Sequence, residues 1–249
     1  MYNVKKLILS LGILLPAMLF ATAKQNTHDD ALAVFYTIDG NAQEKYNNLV
    51  EKKLKSIGFN LTDPHKRVND HYETKWGSTV LDVFSFMPVV RSSTILPLLN
   101  IDPRIAGFAP FNMLIYKKLD ENVTHVGHLM PNVMLDILGI ENKEVRTKFS
   151  APFRALDSTI GHTLGGVKSY TSYKKLPEKK MINFEYEFEI PKNGDISDFL
   201  DEFQNSFELA FIDKGYLIAG YYNFMESSSD AEEILSEYSA FWTYSLCHM

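Results

Sequence analysis

Between Ala106 and Tyr116 the chain reads AGFAPFNMLIY, and Asn112 is its one strongly polar side chain. Asp102-Pro103 precedes this run and Asp120-Glu121-Asn122 follows it. A stretch that apolar over a strand's length fits a strand covered on both faces. Such a strand needs the rest of the chain as cover, so it predicts a layered α/β domain with this strand in the middle. After the charged turn a second strand is expected, then a helix opening at Met130-Pro131-Asn132.

Upstream, Ala31 to Ile38 is β-branched and aromatic, the composition of a first strand. Asp39-Gly40-Asn41 turns the chain, with Asn41 as helix N-cap and Glu44 three residues on. Ala42, Tyr46, Leu49, Val50, Leu54 and Ile57 keep the spacing of an amphipathic helix, and Gly58 stops it. Phe59 to Leu61 starts another strand, 62–78 reads as a polar excursion, and Val80 to Val90 returns to strand character. Short helices are expected over 92–99 and 131–139, and a longer one over 142–160 closes a first module spanning 31–160. Residues 161–180 combine three glycines with five lysines and read as a solvated linker.

Met181 to Ile190 alternates apolar and polar residues strictly, which predicts a half-buried strand. Asp195 then caps a helix with apolar positions from Ile196 to Phe211, stopped at Lys214-Gly215, and Tyr216 to Phe224 is a further strand. Strand, capped helix, glycine, strand therefore recurs, which predicts a second, related module over 181–249. The expected fold is α/β of the α+β sandwich type: two modules, each a small mixed or antiparallel sheet with helices packed on one side. The second copy reaches Met249 without a counterpart of about 89–160, so it is expected to be truncated or to borrow strands from a partner.

Lys5-Lys6, the apolar run Leu7 to Phe20 and the small residues Ala21-Thr22-Ala23 form a secretory signal, expected to be cleaved after Ala23. Without it, 23 basic residues face 31 acidic ones. A chain that negative repels phosphate backbones and anionic lipid, so nucleic acid and a membrane surface are poor partners, whereas a small molecule or a homo-oligomer is compatible. Export to the periplasm or medium would leave Cys247, the single cysteine, without an intrachain disulfide. Packed cores must hold the fold, and 45% hydrophobic residues are ample for that.

Asp102-Pro103-Arg104-Ile105, Pro110 with Asn112, and Met130-Pro131 resemble the Asp-Pro-x-Ile/Leu step, the Pro-Cys-Asn strand entry and the closing-helix start of the family of domains of unknown function numbered 302. Phe111 stands where that family has cysteine. Met87-Pro88 resembles its Cys-Asn-Pro turn, again without cysteine, and Cys247-His248 fits that turn better. The resemblance implies a small α/β fold, sometimes in tandem, and no particular activity or cofactor.

Chemical motifs are near misses. Gly161 to Ser169 lacks the glycine–lysine step of a phosphate loop, and Tyr244 occupies the first cysteine's place in a c-type haem site ending at Cys247-His248. His125 and His128, three apart on a strand, face opposite sides and do not pair as metal ligands. Glu185, Glu187 and Glu189 mark a solvated sheet face. No recognisable catalytic or metal set remains, which favours a non-catalytic exported binding or accessory protein. Its ligand is expected near the turn at 84–91 and the counterpart at 244–248, with Arg91, Asn112, Cys247 and His248 as candidate contacts. The rival reading uses Cys247 and His248 as an activated thiol or soft-metal site.

Overall fold

A computed structural model describes residues 31–62, 68–172 and 195–248. The expected signal at 1–23 and the alternating stretch at 181–190 lie outside the described residues. Six strands form one sheet: β1 (Ala31–Asp39), β2 (Asn60–Leu61), β3 (Leu81–Val90), β4 (Phe111–Lys118), β5 (Val123–Leu129) and β6 (Val167–Ser172). Their order is β2-β3-β4-β5-β1-β6, with every neighbouring pair antiparallel. The fold is thus α+β, an antiparallel sheet with helices against it.

Sequence alternation decides which face is covered. Val34, Tyr36, Ile38, Val83, Met87, Val89, Phe111, Met113, Ile115 and Val126 all point into one cluster. Helices close that cluster. The first is α1 (Gln43–Asn48), which continues as a π turn (Leu49–Lys53) and a 3-10 turn (Leu54–Ile57). It brings in Tyr46, Leu49, Val50 and Leu54. The others are α3 (Ser92–Leu99), α4 (Pro131–Ile137), α5 (Lys143–Ser150) and α6 (Phe153–Leu164), contributing Ile95, Met134, Phe149, Leu156 and Ile160 among others. Full burial of each such side chain contributes about 1.5–3 kcal/mol relative to exposure. Tyr46 is fully buried and its hydroxyl donates to the Met113 carbonyl at 2.7 Å, which bolts the first helix to the middle of the sheet.

Four expectations need correction. The run 106–116 is not one strand: Ala106 to Phe108 complete a 3-10 turn (Pro103–Phe108), fastened because Asp102 accepts from the Arg104 backbone N–H at 3.2 Å. β4 starts at Phe111 and is central in strand order, but it is covered fully on one face only. On the other face Asn112, Leu114 and Tyr116 are half-buried, beside Phe35, Phe84 and Phe86. The excursion 62–78 contains α2 (Val68–Trp76), held by buried Val68 and by Asn69 donating to the Asp82 carbonyl at 3.2 Å. The single helix over 142–160 is two helices, broken where Pro152 cannot continue the bond ladder.

The stretch expected as linker also takes part in the fold. Through residue 172 it supplies the end of α6 and the edge strand β6, paired with β1 from Ala31↔Ser172 to Thr37↔Val167. Beyond it come α7 (Ile196–Asp213), β7 (Tyr216–Asn223), α8 (Ala231–Ile234) and β8 (Trp242–His248). β7 and β8 pair antiparallel as a second, two-stranded sheet. Asp195 caps α7 as expected, accepting from Ser197 N–H at 2.9 Å. Gly58 and Gly215 end their helical segments alike, each at φ +83°, a conformation that costs other residues about 1–2 kcal/mol.

Candidate functional site

The second sheet docks on one end of the first. Tyr222 of β7 and Ser92 of α3 share a hydroxyl–hydroxyl bond of 2.6 Å, Thr243 Oγ1 donates to the Ala109 carbonyl at 3.0 Å, and Asn100 Nδ2 donates to the Ile234 carbonyl at 2.7 Å. Phe224, Ala231 and Leu235 are fully buried in the same core as the six-stranded sheet. At the closest approach, a Cβ placed on Gly220 would lie 3.3 Å from Pro88 Cγ and 3.5 Å from Ser245 Cβ. The stretch 84–91, expected as a ligand-holding turn, is instead the end of strand β3 running to Arg91, and its counterpart at 244–248 is strand β8; the two meet at this seam.

A cavity of about 160 Å³ opens at that seam, lined by Gly107, Phe108, Pro110, Phe111, Asn112, Leu129, Met134 and Ser245. Asn112 reaches it because β4 pairs Asn112 with Pro88, beside the docked strands. Its Oδ1 is buried and has no hydrogen-bond partner among the described residues. Flipping the amide would only place an unpartnered donor there instead. A buried polar atom left bare costs about 1–3 kcal/mol, an unusual expense for an internal strand position.

Arg91 lies on the other side of Phe108 and Phe111. It precedes α3, and its Nε is likewise buried without a hydrogen-bond partner among the described residues. It lines a crevice of about 10 Å³, room for about one water, walled by Phe59, Val90, Ile95, Phe149 and Phe153 among others. Arg91 and Asn112 thus border two neighbouring spaces that share Phe108 and Phe111. Cys247 pairs with Leu217 and His248 with Tyr216 in the backbone ladder, two and three residues beyond Ser245. The side chains of Cys247 and His248 lie outside the described part of the structure.

Sequence reasoning missed a second polar centre. His128, 3% exposed, faces the helices while His125 lies on the opposite face, stacked on Tyr116. His128 Nε2 lies 3.1 Å from Asp157 Oδ1 of α6, and its Nδ1 lies 2.8 Å from the Leu129 carbonyl. The Tyr36 hydroxyl donates to the Asp157 carbonyl at 3.0 Å and to its Oδ1 at 3.2 Å, and Lys168 Nζ donates to Asp157 Oδ2 at 2.9 Å. Burial works to raise the Asp157 pKa, but the hydrogen bonds and charges of His128 and Lys168 hold it below the ordinary carboxylate value. Tyr36 is pushed up to about 12, chiefly by burial and then by the Asp157 charge. The network joins β1, β5, α6 and β6, elements far apart in the chain. Parity along β5 was the one hint of it in the sequence.

The motif residues that carry the family resemblance hold structure. Arg104 Nη2 meets Asp102 Oδ2 at 2.6 Å, and its Nη1 donates to the Gly139 carbonyl at 3.1 Å, tying the turn to the end of α4. The Arg104 hydrogen bond, set against partial burial, keeps the Asp102 carboxyl below its ordinary range. Among the described residues no group of three or more histidine, cysteine, aspartate or glutamate side chains could hold a metal ion.

No family model matches this chain, and no curated protein matches it. Among solved structures, the crystal structure of an uncharacterized conserved DUF302 protein from Bacillus stearothermophilus is similar over 53% of this chain and 95% of that chain, with 16% sequence identity and a TM-score of 0.42.

Proposed function

We propose that this chain is an exported, non-catalytic binding protein that takes a small, mostly apolar molecule carrying one hydrogen-bond donor into the seam cavity. The observation that carries the reading is the Asn112 Oδ1, buried at the cavity wall with no described partner. A donor on the ligand would satisfy it, while Phe108, Phe111, Leu129 and Met134 cover the apolar remainder. At about 160 Å³ the cavity suits a ligand of a handful of heavy atoms, since drug-sized pockets run to roughly 300–1,000 Å³.

Two related modules form the site in this reading. Support comes from the order helix, left-handed glycine, strand, short helix, strand, which runs from α1 through Gly58 to β3 and again from α7 through Gly215 to β8. Both series end with the two strands paired antiparallel. Export rests on the basic, apolar and small-residue pattern of residues 5–23.

The test is a panel of small amides, amines and alcohols, read by native mass spectrometry and thermal shift on wild type and Asn112→Leu. A ligand at a hundred times its Kd stabilises by about 2.7 kcal/mol. The expected result is a member of the panel that raises the wild-type melting temperature and leaves Asn112→Leu unmoved. Equal binding to both proteins would place the ligand elsewhere and end the proposal.

A further inference from the structure

The cleft between α6 and β6 gathers positive charge on a chain whose formal net charge is −6. Tyr36, Arg154, Asp157, Ser158, Gly161, His162, Gly166 and Lys168 line an opening of about 910 Å³. Along α6, Arg154, Asp157 with Ser158, and Gly161 with His162 follow at three- and four-residue intervals, so they share one helix face, and Lys168 stands across from it on β6.

Asp157 is the one acid among these lining residues, and its charge is already engaged. Lys168 binds Oδ2, while Oδ1 meets both the Tyr36 hydroxyl and His128 Nε2. Both nitrogens of His128 are taken up inside the protein, Nε2 by the Asp157 carboxylate and Nδ1 by the Leu129 carbonyl, so the ring is spent on the internal tie. Arg154, by contrast, makes no hydrogen bond or ion pair among the described residues and has no part in the internal tie. His162 Nδ1 lies 2.6 Å from the Ser158 carbonyl, and no contact of its Nε2 is described.

We infer that this cleft binds a small oxyanion, a phosphate or carboxylate group, with Arg154 and Lys168 as its charge partners and the Ser158 hydroxyl as a hydrogen-bond donor. Two cations, Arg154 and Lys168, against one engaged carboxylate leave the cleft wall net positive, and a guanidinium fork matches the two oxygens that such a group presents. Lys168 can serve both sides because an ammonium has three donors, and its nitrogen is held over the Tyr36 and Tyr170 rings, 5.6 and 5.2 Å from their centres. The site is separate from the seam cavity: no residue lines both.

The experiment titrates the full exported chain at low salt with inorganic phosphate and, separately, with acetate, following backbone amide shifts by NMR. The expected result is saturable movement of Ser158, His162 and Lys168 with a Kd of roughly a millimolar, weakened by added salt and about tenfold weaker in Arg154→Gln. Arg154 is exposed, so its replacement leaves the fold intact, and circular dichroism checks that. Response to phosphate alone, to acetate alone or to both assigns the preferred oxyanion. Linear, unsaturable shifts with both anions, or equal affinity in Arg154→Gln, would overturn the inference.

Discussion

Replacing Asn112 by leucine puts the seam cavity to a test whose sign is informative. Leucine keeps the branched shape of asparagine, is somewhat bulkier, and removes the acceptor that the protein leaves bare. Relief of that desolvation is worth about 1–3 kcal/mol. Apolar contact with Phe111, Leu129 and Met134 adds about 1 kcal/mol, and crowding offsets only part of the gain because the cavity has space to receive the extra methyl volume. The ligand-free variant should therefore be more stable than wild type by about 1–2 kcal/mol. For a chain of this size that is a rise of about 2–8 °C in melting temperature. Urea unfolding followed by circular dichroism, with an unchanged m-value, isolates the stability change. An asparagine that served the fold would give the opposite sign. A fall of more than about 2 °C would show that Asn112 is structurally satisfied, and the cavity would lose its claim as a binding site.

The docking of the second sheet can be tested by a double-mutant cycle on Ser92→Ala and Tyr222→Phe. The 2.6 Å bond between their hydroxyls predicts a coupling of about 1 kcal/mol in urea unfolding, and strictly additive effects would mean the bond is not formed. Asp157→Asn should cost about 1–3 kcal/mol at neutral pH, because it leaves Lys168 without its counter-charge and His128 without its carboxylate partner. The folded-state pKa of Asp157 lies below its ordinary 3.8, so its stabilisation is present above that value and is lost as pH falls through the lower folded value. Urea midpoints measured from pH 7 down to about pH 2 should therefore show a shallower acid limb in Asp157→Asn. An unchanged limb would remove Asp157 from the account.

Much of the six-stranded sheet was legible because its central strands obey simple patterns. β1, β3, β4 and β5 alternate or run apolar, and the first helix shows both its stripe and its stopping glycine. β6 escaped because an edge strand needs little apolar surface. Val167 is 72% exposed, and the glycines and lysines around it satisfy an edge while imitating a linker. α2 escaped for a related reason: its sequence VNDHYETKW has no stripe, and it is held through Val68, Asn69 and the Tyr72 ring against Phe84. Arg91 and Asn112 could be singled out from motif position alone. That they border adjoining spaces, and that Ser245 comes to face one of them, depends on how the second sheet docks, which no local pattern encodes. The His128–Asp157–Lys168 network was illegible for the same cause, since its members meet only when β5, α6 and β6 are assembled.

Strand order also governs when this protein can become itself. The first described strand waits for both neighbours: Ala33 pairs with Leu129, and Val34 with Tyr170, nearly the whole sheet's worth of chain later. Closing such distant pairs is slow, because loop entropy must be met before the contacts reward it. A chain emerging from the ribosome therefore cannot fix its first strand until Val123–Leu129 has been made. The sheet is complete only once its last strand, Val167–Ser172, has been made, so that edge of the fold closes late in synthesis.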